Sequence, residues 1–133
     1  MYANTKIETL TTKQIKKVLK VCAKWCHKNL GVNNRKKYSL SYSFGNEVEG
    51  VYGLYNPVHN HIYLNLLNCK NVGKMCSTFI HEYTHHLQPV RTKYVKSVEL
   101  HGYWDCPFEV EARNAEKKFN RSLLFCVRAK CSK

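Results

Sequence analysis

Residues 74–88, which read KMCSTFIHEYTHHLQ, determine how this chain is organised. Their apolar positions recur with the spacing of one helical face, and Pro89 stops the helix that follows from this pattern. These apolar positions are Cys76, Phe79, Ile80, Tyr83 and Leu87. The same stretch carries His81, Glu82 and His85. Because residues four apart lie on one face of a helix, we expect both imidazoles to point the same way.

The string HEYTH at 81–85 matches the pattern H-E-x-x-H. Two histidines one turn apart can bind a single tetrahedral metal ion, while Glu82 projects beside them toward a bound water. The alternative is an ordinary amphipathic helix that happens to carry histidines. A catalytic zinc site needs three protein ligands and one open position, so a third donor is expected elsewhere in the chain.

Glu109 is the preferred third ligand. It lies 24 residues after His85 in the string PFEVEAR, where Pro107 suits the first turn of a last helix. A carboxylate placed there can meet the metal as this helix packs on the HEYTH helix. Glu111 remains a substitute ligand, because the sequence does not set the phase of a helix start. Either glutamate alone also fits a simple helix-dipole role.

The HEYTH motif and the later string Glu109-x-x-Ala112 resemble the two signatures of gluzincin-type zinc metallopeptidases. The resemblance covers about residues 60–125. It implies a minimal zincin-like scaffold, a bound Zn²⁺ and an endopeptidase that hydrolyses protein or peptide substrates. In that family an acidic or amide residue often follows the small residue, whereas this chain has Arg113.

The resemblance also implies roles for single residues. The expected zinc ligands are His81, His85 and Glu109. Zinc would activate a water molecule, and Glu82 would accept its proton as the general base. Tyr103 or His101 are candidates to stabilise the oxyanion of the tetrahedral intermediate, although each also fits a role as a cap on the core.

Two other functions stay open. SprT-like proteases, which act on DNA-bound proteins, carry the same motif with a histidine as third ligand, and His101 lies 16 residues after His85. The second alternative is a non-catalytic module in which zinc staples the fold and basic helices bind nucleic acid. Glu82 argues against that module, because a purely structural site has no use for a carboxylate next to its first ligand.

The flanking sequence predicts an α+β fold. Thr11 and Gln14 form a capping-box signal for an N-terminal helix over about 12–29. The segment 90–106 lacks a clear period, which is typical of a functional loop. The last helix is predicted to begin at Pro107.

Two stretches with strand-like alternation predict strands at 38–44 and 62–66, and a further strand is predicted between them, near 47–54. Together they suggest a small antiparallel meander. The third strand precedes the HEYTH helix directly, so we expect it to offer an open edge to an extended peptide.

The chain has 133 residues, of which 44% are hydrophobic, and we expect one domain over 1–133. A formal charge of +13 favours anionic partners such as nucleic acid, with ordinary solvated lysines as the alternative. The seven cysteines form no CxxC pair, and no leader or membrane-spanning pattern is present. We therefore expect no membrane association and an intracellular, cytoplasm-like reducing compartment.

Overall fold

A computed structural model describes residues 2–33, 37–45, 51–88 and 90–131. Within these ranges the chain has the predicted α+β composition, with helices packed around a small three-stranded sheet. The helices are α1 (Thr12–Leu30), α2 (Leu66–Cys69), α3 (Val72–Leu87), α4 (Val90–Asp105) and α5 (Pro107–Cys131). The strands are β1 (Ser39–Ser43), β2 (Gly53–Asn56) and β3 (His61–Asn65).

Helix α1 begins at the predicted capping box. Thr11 Oγ1 accepts a hydrogen bond from the backbone N–H of Gln14, and Gln14 Oε1 accepts one from the backbone N–H of Thr11. The helix ends at Gly31, whose φ of 96° is a conformation that glycine adopts without strain. Its buried face consists of Ile15, Val18, Leu19, Cys22 and Cys26.

The sheet is mixed, so the predicted antiparallel meander is wrong. The strand order is β1-β3-β2, with β1 parallel to β3 and β2 antiparallel to β3. The most apolar strand takes the centre, because Ile62 and Leu64 are fully buried whereas β1 alternates with exposed serines. Since β3 is paired on both sides, it offers no open edge to a peptide. Residues 47–50 of the predicted second strand lie outside the described residues.

The expected loop at 90–106 is instead the helix α4, which runs to Asp105. The sequence lacks a helical stripe there because the described side chains of α4 are largely exposed and bury no continuous face. Gly102 interrupts the helix with φ 75° and ψ 163°, a region open to glycine alone. The chain turns at this glycine and carries Tyr103 and Trp104 toward α3 and α5.

Helix α3 forms the centre of the molecule. Its apolar face contributes Met75, Phe79, Ile80 and Tyr83 to a core that also receives the buried faces of α1 and β3. Leu123 and Val127 of α5 complete this core from the other side, as its C-terminal half crosses α1. The first half of α5 therefore lies across the C-terminal half of α3, where the two histidines are.

Among the helices just described, none combines the length and the apolar character that a membrane crossing requires. All seven cysteines are free thiols. Two of them, Cys22 of α1 and Cys76 of α3, bring their sulfur atoms within 3.8 Å in the core.

Candidate metal centre

The C-terminal half of α3 places two imidazoles side by side, as the spacing of HEYTH predicts. The ring centroids of His81 and His85 are 5.0 Å apart. His85 is buried and His81 is partly buried. Helix α3, which carries both rings, is capped at its N-terminus by Asn71, whose side chain accepts a hydrogen bond from the backbone N–H of Lys74.

Glu109 joins the two histidines from the first turn of α5. Its Oε1 lies 2.9 Å from Nε2 of His81, and its Oε2 lies 3.1 Å from Nε2 of His85. The side chain is only 3% exposed. Helix α5 starts at Pro107, so its first turn is pinned against the end of α3, and the carboxylate enters between the rings.

These three residues form one group that can hold a metal ion, and we call His81, His85 and Glu109 the metal group. Their candidate ligand atoms all lie within 4.8 Å of one another. Two imidazole nitrogens and one carboxylate oxygen form a donor set that suits several divalent transition metals. Within the part of the chain that the structure describes, no second group of His, Cys, Asp and Glu side chains converges in this way.

The remaining ring nitrogens hold both histidines in place. Nδ1 of His81 is 2.6 Å from Oε2 of Glu116, and Nδ1 of His85 is 2.7 Å from Oε1 of Gln88. An oxygen can only accept the Nδ1–H proton, so both rings carry a proton on Nδ1 and turn Nε2 toward Glu109. This is the ring orientation that a metal-binding histidine requires.

Two carboxylates, those of Glu109 and Glu116, raise the pKa of His81. Burial lowers its pKa, but the hydrogen bonds to Glu109 and Glu116 outweigh burial and raise the pKa to about 10. In the metal-free protein at neutral pH, His81 therefore carries a positive charge between two carboxylates. A divalent cation would replace that charge and bind where the proton on Nε2 lies.

Glu82 lies beside this group and is 7% exposed. Burial raises its pKa to about 7, against the lowering effect of the two neighbouring histidines. Strand β2 closes over it at Gly53, where a Cβ atom would lie 3.3 Å from Cγ of Glu82. The carboxylate is thus held in a narrow space between α3 and β2.

A cavity of about 210 Å³ opens in front of the metal group. Gly53, Leu54 and Tyr55 of β2 line it, together with Tyr103. Tyr103 is 58% exposed, although its side chain also borders this cavity. There burial, followed by the charge of Glu109, raises its pKa.

The alternative third ligands lie elsewhere. Glu111 is exposed, and its Oε1 accepts a hydrogen bond of 2.6 Å from Nε2 of Gln88. His101 is exposed on α4 and is not a member of the metal group. Glu109 is therefore the residue that the fold brings to the two histidines. His86 points away from them, and its Nδ1 lies 3.2 Å from the hydroxyl of Tyr55.

Glu116 and Gln88 belong to this site but were not predicted from the sequence. Glu116 follows Glu109 by seven residues, which is two helical turns, so the spacing already placed both carboxylates on one face of α5. Gln88 follows His85 by three residues at the end of α3, within reach of the ring. Its amide nitrogen also donates to the backbone oxygen of Phe108, so this side chain connects α3 to α5.

Arg113, which stands where gluzincins often have an acidic or amide residue, contacts the end of α4. Its guanidinium group stacks on the ring of Trp104 at 3.9 Å and also donates to that residue's backbone oxygen. Arg113 thus ties α5 to the end of α4 and positions the segment that contains Tyr103.

Comparison with known protein families, with curated proteins and with solved structures found no match for this chain.

Proposed function

We propose that this chain is a zinc-dependent endopeptidase of the gluzincin type, with His81, His85 and Glu109 as metal ligands. One observation carries the proposal: a buried carboxylate, Glu82, stands beside a convergent His-His-Glu group at the head of an open cavity. Zinc accepts this set of nitrogen and oxygen donors and keeps a fourth position for water in catalytic sites. When bound there, it would supply Lewis-acid chemistry for the attack of water on a carbonyl.

Glu82 is the general base of this proposal. Its pKa of about 7 in the metal-free protein lies close to neutral pH, where a base transfers protons most effectively. A bound cation would oppose the effect of burial, lower that pKa from its raised value and keep the carboxylate ionised between turnovers. Glu82 then takes the proton of the attacking water and delivers it to the departing amine.

The substrate in this proposal is an extended peptide. β2 pairs with β3 on one side only, and in the described ranges no strand covers its other edge. Gly53, Leu54 and Tyr55 of this strand also line the cavity. An extended chain can therefore add to β2 and bring its scissile carbonyl to the metal group.

Two features weigh against the alternatives. A structural zinc site usually fills all four positions with protein ligands, whereas three donors converge here in front of a cavity. A SprT-like arrangement requires His101 as the third ligand, and this residue is exposed while Glu109 occupies the position between the rings.

The substitution Glu82→Gln tests the proposal. We expect the variant to bind about one zinc ion per chain, measured by metal analysis after dialysis, and to lose hydrolysis of an unfolded protein substrate such as reduced casein. Glu99→Gln, an exposed residue of α4, is the matched control and should retain both properties. Hydrolysis that persists in Glu82→Gln would exclude this mechanism. A wild-type protein that binds zinc but hydrolyses nothing would favour the non-catalytic module.

A further inference from the structure

A second cavity, of about 710 Å³, lies between α1 and α5. It shares no lining residue with the cavity at the metal centre. We call it the lysine groove. The basic side chains that line it are Lys17, Lys20, Lys24, Lys28 and Lys130. Four of them come from α1, whose opposite, apolar face is buried in the core.

Among the residues that the structure describes, no carboxylate compensates the charge of the lysine groove. No Asp or Glu of those ranges lines it, and the sequence contains none of either at 12–30 or 117–133. Acidic residues gather instead at the metal centre, where Glu82, Glu109 and Glu116 lie within one cluster. A concave surface that carries charges of one sign focuses the potential and attracts a ligand of the opposite sign. The charge of this groove therefore favours an anionic partner.

The lysines follow a line along α1. Lys17, Lys20, Lys24 and Lys28 succeed one another by three or four residues, so the row is about 16 Å long with a charge about every 5 Å. A single small anion would engage only one end of such a row. An extended polyanion with a regular backbone can contact all of it.

An exposed aromatic side chain in the lysine groove indicates which kind of polyanion fits there. Phe125 lines the groove and is 75% exposed, which makes it one of the most exposed large apolar residues in the described chain. Beside it, Trp25 is held by an edge contact with Phe119, with ring centroids 5.7 Å apart. A basic groove with an available aromatic ring is the combination that binds single-stranded nucleic acid, because phosphates pair with lysines while a base stacks on the ring.

An anionic membrane fits this face less well. Membrane-bound amphipathic helices insert a broad apolar face below the lipid headgroups. The apolar residues of α1 are already buried against α3 and α5, and the lysines line a concavity into which a flat bilayer does not enter.

We propose that the lysine groove binds single-stranded nucleic acid, with its phosphates along the lysine row of α1 and a base against Phe125. Binding of this kind depends on the backbone and on stacking, so it is largely independent of sequence. It does not require the metal centre, and it would place a nucleic acid on the same molecule as the proposed peptidase site.

The test measures binding of a fluorescent oligothymidylate of about 20 nucleotides by anisotropy, between about 50 and 200 mM salt. We expect the double variant Lys20→Gln/Lys24→Gln to bind roughly tenfold more weakly, with the slope of log affinity against log salt reduced by about 1.4. Phe125→Ala should bind at least about fivefold more weakly than the wild type. The slope of log affinity against log salt should not change, because the substitution removes stacking and no charge.

The matched control is Lys6→Gln/Lys96→Gln, which removes the same charge from exposed lysines outside the groove. It should bind nearly as wild type does, and thermal melting should show all variants folded. Equal weakening in the control would show that net charge alone explains the weaker binding of the lysine variant, and would overturn the proposal. So would wild-type affinity in both groove variants, or groove-dependent binding to phosphatidylserine vesicles or polyglutamate without binding to the oligonucleotide. Because the readout is binding, failure of the peptidase proposal would leave this result unaffected.

Discussion

The Oε2 atom of Glu116 lies 2.6 Å from Nδ1 of His81, two helical turns beyond the carboxylate that meets the same ring at Nε2. One histidine of α3 is thus held at both nitrogens by one face of α5. Contacts of this kind orient a ligand ring and raise its basicity, and their loss typically weakens metal binding by about 10- to 100-fold.

We therefore expect Glu116→Gln to weaken zinc binding by about 10- to 100-fold in competition with a chromophoric chelator. The amide keeps the size of the side chain and removes its charge, so the pKa of His81 in the metal-free protein should also fall, as measured by NMR. Glu99→Gln provides the control on an exposed helix. An unchanged zinc affinity together with an unchanged pKa would show that Glu116 does not position the ring.

The protonation of His81 predicts a proton release on metal binding. Its pKa of about 10 lies above its usual value, so the ring is protonated in the metal-free fold at neutral pH and must lose a proton when Nε2 binds zinc. Calorimetry at about pH 7 in buffers of different ionisation enthalpy should report about one proton from this ring. The number should decline to about half as the pH rises to about 10, where half of the free rings are already neutral. Zinc binding without proton release at neutral pH would contradict this assignment.

Local features of this chain could be predicted from sequence because neighbouring residues encode them. The capping box at Thr11 and Gln14, and the shared face of His81 and His85, follow from helical spacing alone. That Glu109 joins the two histidines could be predicted because Pro107 marks where a helix begins. The same spacing extended by two turns would have found Glu116.

Nonlocal features could not be derived in this way. The place of β3 between β1 and β2 depends on which strand buries most apolar surface, and an alternating pattern looks the same for parallel and antiparallel pairing. α4 was mistaken for a loop because its mostly exposed surface imposes no apolar period on the sequence. Gly102, which turns the chain within α4, explains how a helical segment can still bring Tyr103 to the cavity.

Gly53 should tolerate no side chain. A Cβ atom there would lie 2.8 Å from Cγ2 of Thr78 and 2.9 Å from the backbone oxygen of Tyr63, so β2 would have to move away from Glu82. We expect Gly53→Ala to lower the free energy of unfolding by about 1–3 kcal/mol in chemical denaturation. Hydrolysis should fall more than zinc affinity. Val58→Ala, at a residue that is 61% exposed, should change stability by less than about 0.5 kcal/mol.

Tyr103 provides a test of how the proposed peptidase site would act on a substrate. Its side chain lines the cavity beside His81, His85 and Glu109 without being one of that group, which is where a donor to the developing oxyanion is needed. We expect Tyr103→Phe to retain zinc and to lower kcat by about a hundredfold with little change in KM, because the bond forms only in the transition state. Tyr42→Phe, in β1, is the control for loss of a tyrosine hydroxyl. A kcat that stays at the wild-type value would leave Tyr103 as a cover of the cleft, held in place by the stacking of Arg113 on Trp104.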